Sequence, residues 1–153
     1  GRIQFHDYAP AYAAFDHVAN VKLFSEQISD FKESLMMGQP AAGQQKDIDF
    51  LLKIGEMFSL VVYGQLILEY AKIHEMEEDL VDQIFEIFVG DMSAFALKLH
   101  NKNSTTETQM NYCKKIMKKP IFNEARFMNI WENHVYALKG SYEMEWKGAK
   151  VTV

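Results

Sequence analysis

The sequence has only one cysteine, Cys113, so no disulfide can form within the chain. A single thiol fits a reducing compartment, and we expect a cytoplasmic location. Basic residues are also few: 16 Lys and Arg stand against 21 Asp and Glu, which gives a formal net charge of −5 at pH 7. Because nucleic acid phosphates are bound by basic surfaces, the composition predicts no nucleic-acid partner.

Motifs of the common active sites are also missing. The chain contains no GxGxxG, no GxxxxGK[ST] and no GxSxG, which disfavours nucleotide-binding and serine-hydrolase chemistry. None of the five histidines has an acidic residue three positions upstream, the spacing that ferritin-like di-metal sites use. We therefore predict no catalytic residue, no metal ligand and no cofactor bound by this chain alone.

Two single residues could carry chemistry, and each has a plainer interpretation. Cys113 lies beside Lys114 and Lys115, which could lower its pKa and make it a nucleophile. No histidine is near it in sequence to act as a base, so a small core residue is the favoured role. His134 is placed with Trp131 on an apolar helix face and is favoured as a core histidine over a ligand.

A long uncharged segment is lacking too. The most apolar stretch, Met57 to Leu68, has charged residues close to both of its ends, namely Glu56 and Glu69. A membrane-spanning helix needs about 20 apolar residues. We therefore predict no membrane span and interpret this stretch as a buried helix.

What the sequence does have is a hydrophobic content of 48% in 153 residues, which is enough for one folded domain. Apolar residues recur at intervals of three and four, as in helices. We predict an all-α, up-and-down helical bundle of four main helices plus one short helix. The predicted divisions are an N-terminal arm over residues 1–15, a single bundle domain over 16–145 and a C-terminal tail over 146–153.

The helix boundaries are predicted from capping residues and breakers. Asp16 is the expected N-cap of the first helix, and Gly38 and Pro40 end it. A capping box at Ser104 and Glu107 begins the short helix. The remaining helices are predicted from Asp47 to His74, from Glu77 to His100, and from Ile121 or Asn123 to Tyr142.

The helix beginning at Asp47 is expected to be the central one. Its other side is also apolar, through Leu60, Val61, Ile67 and Leu68, so we predict burial all round. Gly55, Ser59 and Gly64 should mark the line along which a neighbouring helix crosses it most closely. The apolar positions at helical spacing are Ile48, Leu51, Leu52, Gly55, Phe58, Val62, Leu66, Tyr70 and Ile73.

Asp91 and Arg126 are each a charge in an otherwise apolar helical neighbourhood. We predict that Asp91 shares the apolar face of its helix. An isolated carboxylate there would be costly unless it were paired. The hypothesis is a buried or half-buried ion pair between the third and last helices, with a structural rather than a catalytic role.

Two adjacent segments carry a family resemblance. FLLKIGEMFSLVVYGQLILEYAKIH followed by LVDQIFEIFVGDMSAFALKLH resembles the helical extension at the C-terminus of some bacterial acyl-CoA dehydrogenase family proteins, over about residues 16–140. The resemblance implies a parent flavoprotein whose upstream domains hold FAD, the acyl-CoA thioester and a glutamate base. None of those motifs is found here, and the absence of an initiator methionine before Gly1 fits a C-terminal fragment.

Two functions follow as expectations. In the first, the chain is a non-catalytic C-terminal domain of such a flavoprotein and serves subunit association or interdomain packing. In the second, it is an independent helical module that holds a partner helix or an acyl-type ligand without a redox role. The partner would be the remainder of the parent enzyme or a second copy of the chain, as a homo-oligomer.

Overall fold

The computed structural model describes residues 7–141, which form helices and contain no strand. This confirms the predicted all-α helical bundle. The first six residues of the predicted arm and the predicted tail, 146–153, lie outside the described residues. The helices are α1 (Ala9–Ala13), α2 (Ala19–Met37), α3 (Ile48–Ile73), α4 (Glu78–His100), α5 (Glu107–Ile116) and α6 (Glu124–Ile130).

The chain divides into two compact units, Gly1–Phe122 and Asn123–Val153. The boundary falls inside the range predicted as one domain, and that domain count stays a prediction. In the second unit the side chain of Asn123 accepts a hydrogen bond from the Arg126 N–H at 3.1 Å, which caps α6. The last helix therefore starts at Glu124 and is capped by Asn123, one of the two predicted starting positions. Its described continuation is a π-helical turn, Trp131–Val135, and a 3₁₀ turn, Tyr136–Leu138.

Helix α4 is the centre of the first unit, because it packs against α2, α3 and α5. Its side chains Phe85, Val89 and Met92 are fully buried. The prediction that α3 occupies the centre is therefore wrong. Helix α3 is longer and more apolar, yet it packs against α4 along one side.

Helix α3 begins where the sequence predicts. The carboxylate of Asp47 accepts a hydrogen bond from the Phe50 N–H at 3.1 Å, which satisfies one of the free donors of the first turn. Phe50, Met57, Val61 and Leu68 follow along the inner side of the helix and are buried. These residues recur at four- and seven-residue intervals, so one side of α3 belongs to the core.

The start of α2 differs from the prediction. Asp16 is not the N-cap: the helix begins at Ala19, and Val18 occupies the cap position without a side-chain hydrogen bond. The Asn20 N–H instead donates to the carboxylate of Asp82 in α4 at 2.7 Å. A side chain from another helix thus takes the place of the N-cap side chain.

The predicted capping box at Ser104 and Glu107 is also misplaced. The box is formed two residues later, where Thr106 accepts from the Gln109 N–H at 3.3 Å and Gln109 accepts from the Thr106 N–H at 2.9 Å. Thr105 is used differently, because its hydroxyl donates to the Leu99 carbonyl at 2.6 Å and closes the turn after α4. The short helix therefore starts at Glu107.

A buried amide joins three helices of the first unit. Nε2 of Gln27 in α2 lies 2.8 Å from the carbonyl oxygen of Ile116 in α5, and 3.0 Å from Oγ of Ser93 in α4. Oγ of Ser93 also donates to the Lys118 carbonyl at 2.8 Å. These bonds satisfy polar groups that would be costly to bury alone, so they fix how α2, α4 and α5 pack together.

Asp91 does not share the apolar face of α4. Its side chain is exposed, because it precedes the buried Met92 and successive helical residues point about 100° apart. The predicted location of this carboxylate is therefore wrong, while Arg126 is buried. The two residues belong to different units, and the ion pair between them stays a prediction.

Gly64 is the one predicted crossing residue that lies at a close approach. It is buried, and a Cβ atom at this position would overlap the hydroxyl of Tyr12 in α1 and lie 3.3 Å from the Phe85 ring. The Tyr12 hydroxyl passes over the bare backbone and donates to the Val61 carbonyl at 2.7 Å. Burial raises the pKa of Tyr12 well above its usual value. The close neighbour is therefore a tyrosine side chain from α1.

We expect Gly64→Ala to destabilise the first unit by about 1 to 3 kcal/mol, because the new methyl group displaces the Tyr12 hydroxyl from its buried hydrogen bond. In a Tyr12→Phe background the same substitution should cost less than about 1 kcal/mol, since the overlapping oxygen is gone. Chemical denaturation of the four proteins measures this coupling.

Gly55→Ala is the matched control for that cycle. Nothing lies within 4 Å of a Cβ atom at Gly55, so alanine there should stabilise the helix by about 0.5 to 1 kcal/mol. Equal costs of Gly64→Ala in the presence and absence of the Tyr12 hydroxyl would contradict the assignment.

Candidate interaction surface

The side of α3 that faces away from α4 is apolar and exposed. We call it the outer face of α3. Ile48 and Ile73, at its two ends, are 74% and 75% exposed, and Leu66 between them is 55% exposed. Its residues are Ile48, Leu51, Leu52, Gly55, Phe58, Ser59, Val62, Leu66, Tyr70 and Ile73. Tyr63 lies at the edge of this face, where its ring is 5.7 Å from that of Phe88 in α4.

The outer face contains the residues whose regular spacing led to the prediction of a central helix. The prediction that α3 is buried on all sides is wrong, because only the opposite side is in the core. Two apolar sides cannot be told apart by spacing alone, since both have the helical period. A surface helix normally presents charged and polar residues to solvent. An exposed apolar side is thus unusual for a surface helix.

Two depressions border the outer face. The larger, about 590 Å³, lies over the N-terminal half of α3 and reaches Phe95 of α4. The smaller, about 260 Å³, lies between α2 and α3 and is closed at one side by Tyr8. Their α3 lining is apolar except for Glu56 and Ser59 in the first, and Gln65 in the second. Apolar grooves with few polar groups are the usual form of binding surfaces.

Gly55 and Ser59 line the larger groove and are both exposed. The prediction that they mark a helix crossing inside the bundle is wrong. The Ser59 hydroxyl donates to the Gly55 carbonyl at 2.8 Å, one turn earlier in the helix. Because Gly55 and Ser59 are small, the groove is open to an approaching group at these positions.

The N-terminal end of the outer face is held by a charge cluster. Nζ of Lys102, in the loop after α4, lies 2.7 Å from Asp49 and 3.2 Å from Asp47. The hydrogen bond from the Phe50 N–H, followed by the bonds to Lys102, lowers the pKa of Asp47. The hydrogen bond from Lys102 lowers the pKa of Asp49 and raises that of Lys102. Lys102 lies 55 and 53 positions from Asp47 and Asp49 in the sequence, so the sequence alone does not predict this cluster.

The remaining candidates offer no reactive group. Cys113 is buried, and burial raises the pKa of its thiol to about 11, which agrees with a core residue. His134 is half-buried within the second unit. Among residues 7–141, no three His, Cys, Asp or Glu side chains are grouped so that they could hold a metal ion.

By length and composition, α3 could also cross a membrane, with a mean hydropathy of 1.5 in its most apolar window. Core helices of soluble proteins pass the same test, and a single such helix is weak evidence. The seven buried residues of its inner side, from Phe50 to Ala71, pack within the bundle. The absence of a membrane span stays a prediction.

Comparison with known proteins identifies no relative: no family model matches the chain, and neither a curated protein nor a solved structure matches it significantly.

The Lys102 cluster predicts a pH dependence. The pKa of Asp49 is lowered below its ordinary value of 3.8 in the folded chain, so the unfolded chain binds protons more readily. The stability from this pair is present above pH 3.8 and is lost as the pH falls below it. We therefore expect the Tm of the wild type to fall more steeply between about pH 5 and pH 2 than that of Lys102→Met.

Lys22→Met is the control, because Lys22 is exposed and lies in α2, on a different helix from both carboxylates. Thermal denaturation followed by circular dichroism measures the three Tm values. Identical slopes for the wild type and Lys102→Met would contradict the assigned pairing.

Proposed function

We propose that this chain is a non-catalytic association domain that binds a protein surface through the outer face of α3. The observation that carries the proposal is the exposure of large apolar side chains on one side of α3, among them Ile48, Leu66 and Ile73. Covering such side chains with a partner would contribute about 25 cal/mol for each Å² removed from water. The proposed role is therefore to hold this domain against another folded domain or subunit.

The identity of the larger assembly is also a proposal. The resemblance described above supports an acyl-CoA dehydrogenase-like flavoprotein, in which this domain would serve subunit association or interdomain packing. FAD and the acyl-CoA substrate would be bound by the remainder of that protein. An interaction module that works independently of any flavoprotein remains the alternative, and it uses the same outer face.

A pair of leucines tests whether the outer face is available to a partner. Leu66 is 55% exposed and Leu68 is fully buried, although they lie two residues apart in α3. Leu66→Glu should change the free energy of unfolding by no more than about 0.5 kcal/mol at low protein concentration. Leu68→Glu should cost more than about 4 kcal/mol, because it buries an unpaired carboxylate.

Urea denaturation of the two variants and the wild type gives these free energies. If Leu66→Glu unfolds the chain as Leu68→Glu does, the outer face is covered within the folded protein and the proposed function is wrong. A folded Leu66→Glu variant leaves the surface free for a partner.

The flavoprotein setting has its own test. The reading frame upstream of Gly1 should encode the FAD-binding and catalytic domains, and the isolated chain should neither retain FAD nor oxidise acyl-CoA. A stop codon directly upstream would leave only the independent module. Flavin absorbance of the purified chain after incubation with FAD provides the second measurement.

A further inference from the structure

We propose that the outer face of α3 binds the same face of a second copy of this chain, as an antiparallel pair of helices. The inference rests on the proposed function and deepens it, because it names the partner and its orientation. It is carried by the spacing of the outer-face residues, by their sizes and by the charges at the two ends of α3.

The spacing along the outer face is that of a coiled-coil seam. From Ile48 to Leu66 its central residues follow one another at alternating intervals of four and three. This seven-residue repeat keeps one side of a helix turned toward a second helix that crosses at about 20°. A partner helix could therefore stay in contact from Ile48 to Leu66. The seam residues are Ile48, Leu52, Gly55, Ser59, Val62 and Leu66.

The sizes of these residues are complementary in an antiparallel pair. We place the twofold axis at the level of Leu60 and Val61. Because the rise of a helix is constant, each residue then lies opposite a residue of the second copy such that the two residue numbers add up to about 121. Gly55 then lies opposite Leu66 of the second copy, and Ile48 lies opposite Ile73. The open space above Gly55 is therefore the place for a leucine of the partner.

The same alignment explains the larger groove. Leu51 lies opposite Tyr70 of the second copy, and Ser59 lies opposite Val62. Large side chains from the C-terminal half of one helix thus enter the groove over the N-terminal half of the other, twice in each pair. This small-to-large matching is lost in a parallel pair, where Gly55 would face Gly55.

Charge also favours the antiparallel orientation. Asp47 and Asp49 are both at the N-terminal end of α3, and Lys72 is near its C-terminal end. A parallel pair would bring four carboxylates together, against two Lys102 side chains. The antiparallel pair places Asp49 opposite Lys72 of the second copy and joins opposite ends of the two helix dipoles.

The area is sufficient for a dimer. A helix of 26 residues is about 39 Å long, and its neighbours lie about 9 Å to either side, so the outer face with its grooves covers roughly 700 Å². Stable complexes bury about 600 to 1,000 Å² on each partner. One acyl chain would cover only a part of this surface, and a net charge of −5 disfavours an anionic lipid surface.

Sedimentation equilibrium over micromolar to millimolar concentrations tests the pairing. We expect the wild type to form a dimer and Leu66→Glu to raise the dissociation constant by at least about tenfold, since it places two carboxylates in the seam. Ile87→Glu is the matched control, because Ile87 is 56% exposed but lies on α4, outside this face. It should leave the dissociation constant unchanged.

The orientation is tested by disulfide trapping under mild oxidation. Ser59→Cys should cross-link two copies, because residue 59 lies close to the twofold axis, whereas Ile48→Cys should not, since those residues are about 37 Å apart along the pair. Efficient cross-linking of Ile48→Cys would mean a parallel pair and would overturn the proposal. A dimer that Leu66→Glu leaves intact would also overturn it.

A wild type that stays monomeric at every concentration excludes the second copy as the partner. If Leu66→Glu nevertheless remains folded, the proposed function stands and another protein occupies the face. Flotation of the monomeric wild type with phosphatidylcholine vesicles, lost in Leu66→Glu, would assign the face to lipid and would contradict both proposals.

Discussion

The packing of α3 against α4 along one side only is the constraint from which the rest of this molecule follows. Helix α4 already has α2 and α5 as neighbours, and α3 reaches the core through Phe50, Met57, Val61 and Leu68. Since α3 is apolar around most of its circumference, a second apolar side is left on the surface. The grooves beside it and the exposed Gly55 both result from this one arrangement.

Much of the fold could be predicted from the sequence. The all-helical class, the start of α3 near Asp47 and the bounds of α4 depend on local preferences, and the structure confirms them. The misplaced start of α2 has a tertiary cause. Asp82 of α4 caps the first turn of α2 in place of Asp16, and no local pattern reveals a bond between residues 62 positions apart.

The candidate surface was missed for a different reason. Regular spacing shows which residues of α3 share a side, but it does not show which side meets a neighbour when both are apolar. Few non-apolar or small residues distinguish the two sides, and both sides contain them. Gln65 and Gly64 lie on the inner side, while Gly55 and Ser59 lie on the outer side. Asp91 was assigned to the apolar face of α4 for a similar reason. It lies three residues after Phe88 and four residues before Phe95, and this spacing also fits a residue at the edge of that face.

Hydroxyl-radical footprinting of the unmodified chain at low and high concentration tests the central claim most directly, which is that α3 has one side in the core and one side for a partner. Tyr63 and Tyr70 report on the outer face, and Met57 reports on the core. The account predicts that both tyrosines are oxidised at low concentration and protected at high concentration, while Met57 is protected throughout. Oxidation of Met57 equal to that of the tyrosines, or protection of the tyrosines at the lowest concentration, would contradict it.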